Sequence, residues 1–159
     1  MSSKKFRPII LAGGSGKRLW PLSTKERTKQ FFPFFGDFTL FDLTLQRTNN
    51  RDIFKKPIIV TSEEYLSLVE ESLSKTGLEV EKIFLEPEPK NTFSASVLPV
   101  LDALKRNEKE RYMVMPSDHY IPFNKSFYKT CTIIKNQFRK KALTLLGVAP
   151  DNPSTEYGY

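Results

Sequence analysis

Short apolar runs rich in β-branched residues recur along this chain, at 8–12, 57–61, 82–85, 112–115 and 143–147. Between them the apolar residues return at helical spacing, over 40–47, 63–75, 92–105 and 123–140. Strand, helix, strand, repeated, leaves few options. A helix that carries the chain back across a sheet makes the next strand parallel to the last. The pattern predicts an α/β chain with a Rossmann-like, mostly parallel sheet and helices on both faces. Local signals set some bounds. Thr61 stands three residues before Glu64, the spacing of a capping box, and Gly77 falls where that helix should stop. Pro99 predicts a kink or a break in the third helix, and 31–35 reads as a short extended piece.

In open sheets of this kind ligands bind beyond the carboxyl ends of the strands. The places for a site are therefore the loops that begin at Gly13, Ser62, Glu86, Pro116 and Gly147. No repeat, low-complexity tract or linker divides the 159 residues, which suit one domain with a real core. The 13 phenylalanines, set against Trp20 alone, predict an aromatic core. No apolar run is long enough to span a bilayer. The run at 8–12 follows basic residues but is too short for a signal peptide. A cytoplasmic protein with no membrane partner is expected. Cys131 is the single cysteine, which excludes an intramolecular disulfide and a Cys-rich metal site and leaves a buried spectator. The net charge of +7 is scattered rather than striped and no nucleic-acid motif occurs, so no nucleic-acid partner is expected. A nucleotide or sugar phosphate serves equally well as the anion.

The loop after the first run, LAGGSGKRLW, carries the chemistry. It departs from both familiar phosphate loops. Leu19 occupies the third glycine position of the dinucleotide fingerprint. Leu11 and Arg18 break the P-loop at its first glycine and its Ser/Thr. What remains is a glycine turn whose bare N–H groups can approach an anion, followed by Arg18 and Lys29. A tight turn flanked by solvated charges is the plainer alternative.

LAGGSGKRLWPLSTKERTKQFFPFFG resembles the signature of the sugar-nucleotide pyrophosphorylases, and Trp20 with the K-Q-F segment resembles the mannose-1-phosphate guanylyltransferases in particular. LEPEPKNTFSAS, MPSDHYI and LGVAPDNPSTEYGY are similar to further segments of that family, in the same order. Thr28 replaces a proline of the pattern, Phe93 and Ser94 replace Ala-Pro, and Glu156 replaces a glycine beside the sugar. The resemblance implies a nucleotide-diphospho-sugar transferase fold. It also implies a reaction in which the phosphate of mannose 1-phosphate attacks the α-phosphorus of GTP, giving GDP-mannose and pyrophosphate. That nucleophile is already ionised, so catalysis reduces to positioning and charge neutralisation.

The residue roles come from the same resemblance. Leu11, Ala12, Gly13 and Gly14 present backbone to base and ribose, and Gly16 lets the chain turn over the triphosphate. Arg18 clamps the leaving pyrophosphate, and Lys29 sits by the α-phosphate. Asp118, just past the fourth strand, holds Mg²⁺ between phosphates; its plainer reading is a cap on the next helix. Pro87, Asn91 and Thr92 match the guanine-reading segment, and Asn91 would also cap the following helix. Gly147 and Gly158 match glycines under the sugar. His119 is read as structural, Lys17 as a solvated charge, and Phe31, Phe32, Phe34 and Phe35 as core. The basic series Lys125, Lys129, Lys135, Arg139, Lys140 and Lys141 is read as a solvated helix face. Family members run well past Tyr159, so residues 1–159 are expected to be the N-terminal portion of one nucleotidyltransferase domain. Weak nucleotide binding, little turnover, and self-association through an unfinished sheet edge are expected. Two alternatives stay open: a sister enzyme with another base or sugar, and a non-catalytic nucleotide-binding module.

Overall fold

A computed structural model describes residues 5–14, 28–34, 36–88, 91–122, 124–137, 143–150 and 152–153. Four strands, β1 (Phe6–Leu11), β2 (Ile58–Ser62), β3 (Lys82–Glu86) and β4 (Arg111–Pro116), form one sheet in the order β3-β2-β1-β4, and every pairing is parallel. Four helices connect or follow them: α1 (Leu40–Arg47), α2 (Leu66–Thr76), α3 (Asn91–Lys105) and α4 (Asn124–Gln137).

β1 is central and buried almost throughout, as a strand covered on both faces must be. Ile10 and Ala12 pack with Phe31, Phe41, Leu45, Tyr65 and Val69, which seats α1 and α2 on one face. Phe6, Met113, Met115 and Cys131 continue that layer under α4. Ile9, Ile58 and Val60 face the opposite way and meet Ala95 and Val100 of α3. Helices thus cover both faces. Pro8 is tolerated inside a central strand because register with β2 begins only at Ile9, opposite Ile58. Arg7, Ile9 and Leu11 face β4, so the missing N–H costs that ladder nothing.

The helix ends differ from expectation in one place. Gly77 does end α2, in the left-handed region at φ +64°, donating its N–H to the Leu73 carbonyl. The capping box expected at Thr61–Glu64 does not form. Residues Glu63–Tyr65 make a 3₁₀ turn with no side-chain cap, because the Thr61 hydroxyl donates instead to the Ala12 carbonyl at 3.1 Å. A capping box closes α1 instead, between Thr39 and Asp42. α3 runs through Pro99 without breaking. Lys29–Phe31 is a 3₁₀ turn rather than an extended piece. Only Phe31 of the phenylalanine cluster enters the core; Phe32 and Phe34 lie half-buried against each other, and Phe35 is outside the described residues.

The fifth expected strand, 143–147, is absent. Residues 143–150 take no regular form, and Leu143 and Val148 are 90% and 94% exposed. β-branched and leucine-rich sequence makes a strand only against a neighbour, and no described strand pairs with this one. No helix among the described residues is long and apolar enough to cross a membrane.

At the amino-terminal end of the sheet the charges neutralise one another. Arg7, largely buried, donates to Glu110 at 2.7 and 3.0 Å, to Glu81 at 2.5 Å and to the Lys56 carbonyl. Lys55 reaches the same Glu110 at 2.6 Å. Chiefly through the Arg7 hydrogen bond, the Glu110 carboxyl is held down at about 2.

Candidate functional site

β1, β2 and β3 step in one direction across the sheet, and β4 then returns to the far side of β1. The direction of winding reverses between β1 and β4, and in sheets of this kind the ligand crevice lies at such a switch point, beyond the carboxyl ends of the strands. Residues 12–14 leave β1 at that point, and Ser117-Asp118-His119 leave β4.

Polar side chains shape this crevice by holding main-chain carbonyls. Gln30 donates its amide to the carbonyls of Ala12 at 3.3 Å and Gly14 at 3.1 Å. Thr61 takes the Ala12 carbonyl from the β2 side. Ser117 grips the Leu11 carbonyl with its N–H at 3.2 Å and its hydroxyl at 2.6 Å. With these carbonyls engaged from several sides, the backbone of residues 11–14 is set from outside itself.

Across the crevice, Lys29 Nζ stands 3.7 Å from Asp118 Oδ2, with the two side chains 36% and 45% exposed. These are the cation and the carboxylate that the sequence singled out, from positions far apart in the chain. The pair is long and both side chains are open to solvent, so either member is accessible to a ligand. Asp118 does not cap a helix, because α4 starts only at Asn124. His119 Nε2 lies 3.8 Å from the other Asp118 oxygen, and the ring is largely exposed.

Glu86 was not anticipated. Its carboxylate lies where a Cβ on Gly13 would come within 3.4 Å of it, and burial pushes its pKa up. The Glu86 side chain thus reaches from the end of β3 to the first loop at Gly13. Pro87 and Thr92 are exposed beside it, and α3 begins at Asn91. Gly147 sits in the exposed 143–150 segment, and a Cβ there would meet nothing within 4 Å. Gly16, Arg18, Lys17 and Gly158 lie outside the described residues. Of the basic series, Lys125 and Lys129 are exposed, Lys135 donates to the Asp52 carbonyl, and the last three lie outside the described residues. Cys131 is fully buried, its thiol pushed up to about 11 by desolvation, consistent with a spectator.

Gln30, Thr61, Ser117 and Glu86 are the residues sequence reasoning missed. Gln30 lies within the K-Q pair and Ser117 and Glu86 within the P-S-D-H and E-P segments, so the motifs held them without naming their task.

A cradle of fixed backbone, an open cation and a carboxylate at a switch point can receive a phosphorylated ligand with its counter-cation. Over residues 7–159 the chain matches the family described as nucleotidyl transferase. The chain belongs to that family. Among curated relatives of this nucleotidyl transferase chain, the alginate biosynthesis protein AlgA of Pseudomonas aeruginosa is 36% identical over 96% of the chain. A mannose-1-phosphate guanylyltransferase of Sinorhizobium fredii is also 36% identical, over 98% of it. The chain spans 31% and 30% of their respective lengths. A solved Thermus thermophilus structure, named as a mannose-1-phosphate geranyltransferase, superposes with a TM-score of 0.71 at 28% identity. That match covers 86% of this chain and 39% of the other. The fold is that of the nucleotide-diphospho-sugar transferases.

Proposed function

We propose that this chain is the nucleotide-binding, N-terminal portion of a mannose-1-phosphate guanylyltransferase, working in the cytoplasm on GTP and mannose 1-phosphate. The observation that carries the reading is the Lys29–Asp118 pair at the switch point, beside the 11–14 backbone that the neighbouring Gln30 and Ser117 hold. Lys29 offsets charge at the α-phosphate. The backbone of Leu11–Gly14 seats base and ribose, Gly16 lets the chain turn over the triphosphate, and Arg18 clamps the leaving pyrophosphate. Pro87, Asn91 and Thr92 border the base, and Gly147 and Gly158 belong to the sugar side.

Mg²⁺ fits the donor set in one specific way. Among the described residues no three metal-ligating side chains cluster. A single half-exposed carboxylate suits a cation that takes its remaining ligands from phosphates and water. Bound there, magnesium would neutralise phosphate charge. Asp118 would hold it, and Lys29 would share the phosphate load. The names of the relatives, for alginate biosynthesis and for guanylyl transfer to mannose 1-phosphate, support GDP-mannose for polysaccharide synthesis as the product.

Thermal-shift titration with GTP, ATP, UTP and dTTP, each with and without Mg²⁺, tests the reading. Ligand at about a hundred times its dissociation constant adds roughly 2.7 kcal/mol. A shift confined to GTP, enlarged by Mg²⁺ and lost in Arg18→Ala, is the expected result. An equal response to all four nucleotides, or to none, would sink it. One observation favours nucleotide binding without turnover as a second reading: the 143–150 segment, which carries Gly147, is exposed and pairs with no strand among the described residues. Release of pyrophosphate from GTP and mannose 1-phosphate by this chain alone would exclude that second reading. The same exposed leucines support self-association, measurable as concentration-dependent mass.

A further inference from the structure

Arg47, at the last turn of α1, is 2% exposed and among the largest fully buried side chains. No carboxylate accompanies it among the described residues. Its Nη1 and Nη2 both donate to one acceptor, the His119 carbonyl, at 3.3 and 3.2 Å. Nη2 also donates to the Thr44 hydroxyl, which in turn donates to the Leu40 carbonyl. Among the described residues Nε finds no partner. An uncompensated buried cation is costly, and an apolar side chain of similar volume would fill the same space without that cost. The fold retains the cation where it reaches 72 residues along the chain to a single carbonyl, the one directly after Asp118.

On the other side of Asp118, Ser117 is bonded twice to the Leu11 carbonyl. Asp118 is therefore held before and after, by β1 through Ser117 and by α1 through Arg47. Among the described residues its own side chain makes two long contacts, to Lys29 and His119. We propose that Arg47 is a positioning residue: it fixes the Ser117–His119 turn so that the Asp118 carboxylate faces Lys29 across the crevice, and so sets the affinity for the metal ion. The clamp stands on geometry alone. Its consequence for metal rests on the guanylyltransferase reading above.

Hydrogen exchange over residues 117–122, measured without ligand, reads the clamp directly. Arg47→Met should lose protection there while β1 and β2 keep theirs. Arg47→Lys, which keeps one donor and the charge, should fall between. Thr44→Val, which leaves the guanidinium in place but unsupported, gives the same readout should Arg47→Met fail to fold. With GTP present, the Mg²⁺ concentration needed for half the metal-dependent thermal shift should rise about tenfold in Arg47→Met, the scale on which outer partners of metal ligands act. The metal-independent GTP shift should hold.

Uniform loss of protection across the sheet would make Arg47 a mere structural residue and overturn the proposal. Unchanged exchange at 117–122 would overturn it too. Selective loss at 117–122 in a protein whose wild type shows no GTP shift would uphold the clamp and fail the guanylyltransferase reading instead.

Discussion

The two ends of the sheet carry charge in opposite ways. At the amino end, Arg7, Glu110, Glu81 and Lys55 meet at 2.5–2.7 Å, with the Arg7 and Glu110 side chains 10% and 9% exposed. At the carboxyl end, Lys29 and Asp118 stand 3.7 Å apart and well exposed. One set is consumed by its own contacts and the other is left open. Charges that satisfy each other hold a fold together, whereas charges that do not are free to meet a ligand. Their places in the fold agree with this, since ligands in parallel sheets enter at the carboxyl ends.

Breaking the amino-end network should have the largest effect. Arg7→Met leaves Glu110 and Glu81 without their principal partner, and removing one member of a buried pair costs about 3–5 kcal/mol. A fall in melting temperature of about 10 °C is expected, with any GTP-dependent shift intact at temperatures where the variant is folded. Denaturant unfolding alongside a GTP titration measures both. Loss of GTP binding in the folded variant would mean that the two ends are not separable.

Acid should attack the same network. Glu110 sits at about 2 when folded, below its ordinary 4.5, so its contribution is present above 4.5 and drains away as pH falls from there toward 2. The shift corresponds to an upper bound on the order of 3 kcal/mol. Urea unfolding at pH 6, 4 and 3 should show that loss in the wild type and much less in Arg7→Met. Parallel pH curves for the two would assign the acid sensitivity elsewhere.

Gln30→Leu should fall in the middle. It strips one donor from the Ala12 carbonyl and one from Gly14, and groups left unsatisfied cost about 1–3 kcal/mol. Because Thr61 still holds Ala12, the lower part of that range is expected. Unlike Arg7→Met, this change should also weaken GTP, since it loosens the backbone that seats the nucleotide in the proposed function. A variant with full GTP affinity would show that Gln30 supports the core alone.

The contrast between the ends also explains what could be read from sequence. β1 and β2 were legible because buried parallel strands are continuous apolar runs, and β3 and β4 because short apolar runs there alternate with helical spacing. Lys29 and Asp118 were legible because they sit inside recognisable motifs. The residues that shape the crevice were not. Gln30, Thr61, Ser117 and Arg47 act on carbonyls 18, 49, 106 and 72 residues away, and no local pattern announces such a bond. Thr61 misled for the same reason: its spacing to Glu64 suited a cap, but burial at the sheet end gave its hydroxyl a nearer carbonyl. The 143–147 run has strand composition and no paired neighbour, so propensity alone misplaced it.

The smallest effect on stability should come from the open pair. Lys29→Ala and Asp118→Asn each remove one member of a solvent-screened contact, and such pairs contribute at most about 1 kcal/mol, so changes within about 0.5 kcal/mol are expected. Binding should respond out of proportion. Lys29→Ala should reduce the GTP shift with or without Mg²⁺, because in the proposed function the lysine meets phosphate directly. Asp118→Asn should leave the metal-free shift alone and erase the increment that Mg²⁺ adds, because an amide keeps the shape of the carboxylate but not its charge. The two variants thus separate the phosphate role from the metal role within one 3.7 Å contact. If both lowered stability by more than about 1.5 kcal/mol and left GTP binding untouched, the pair would be a structural one like Arg7–Glu110, and the distinction between the two ends of the sheet would collapse.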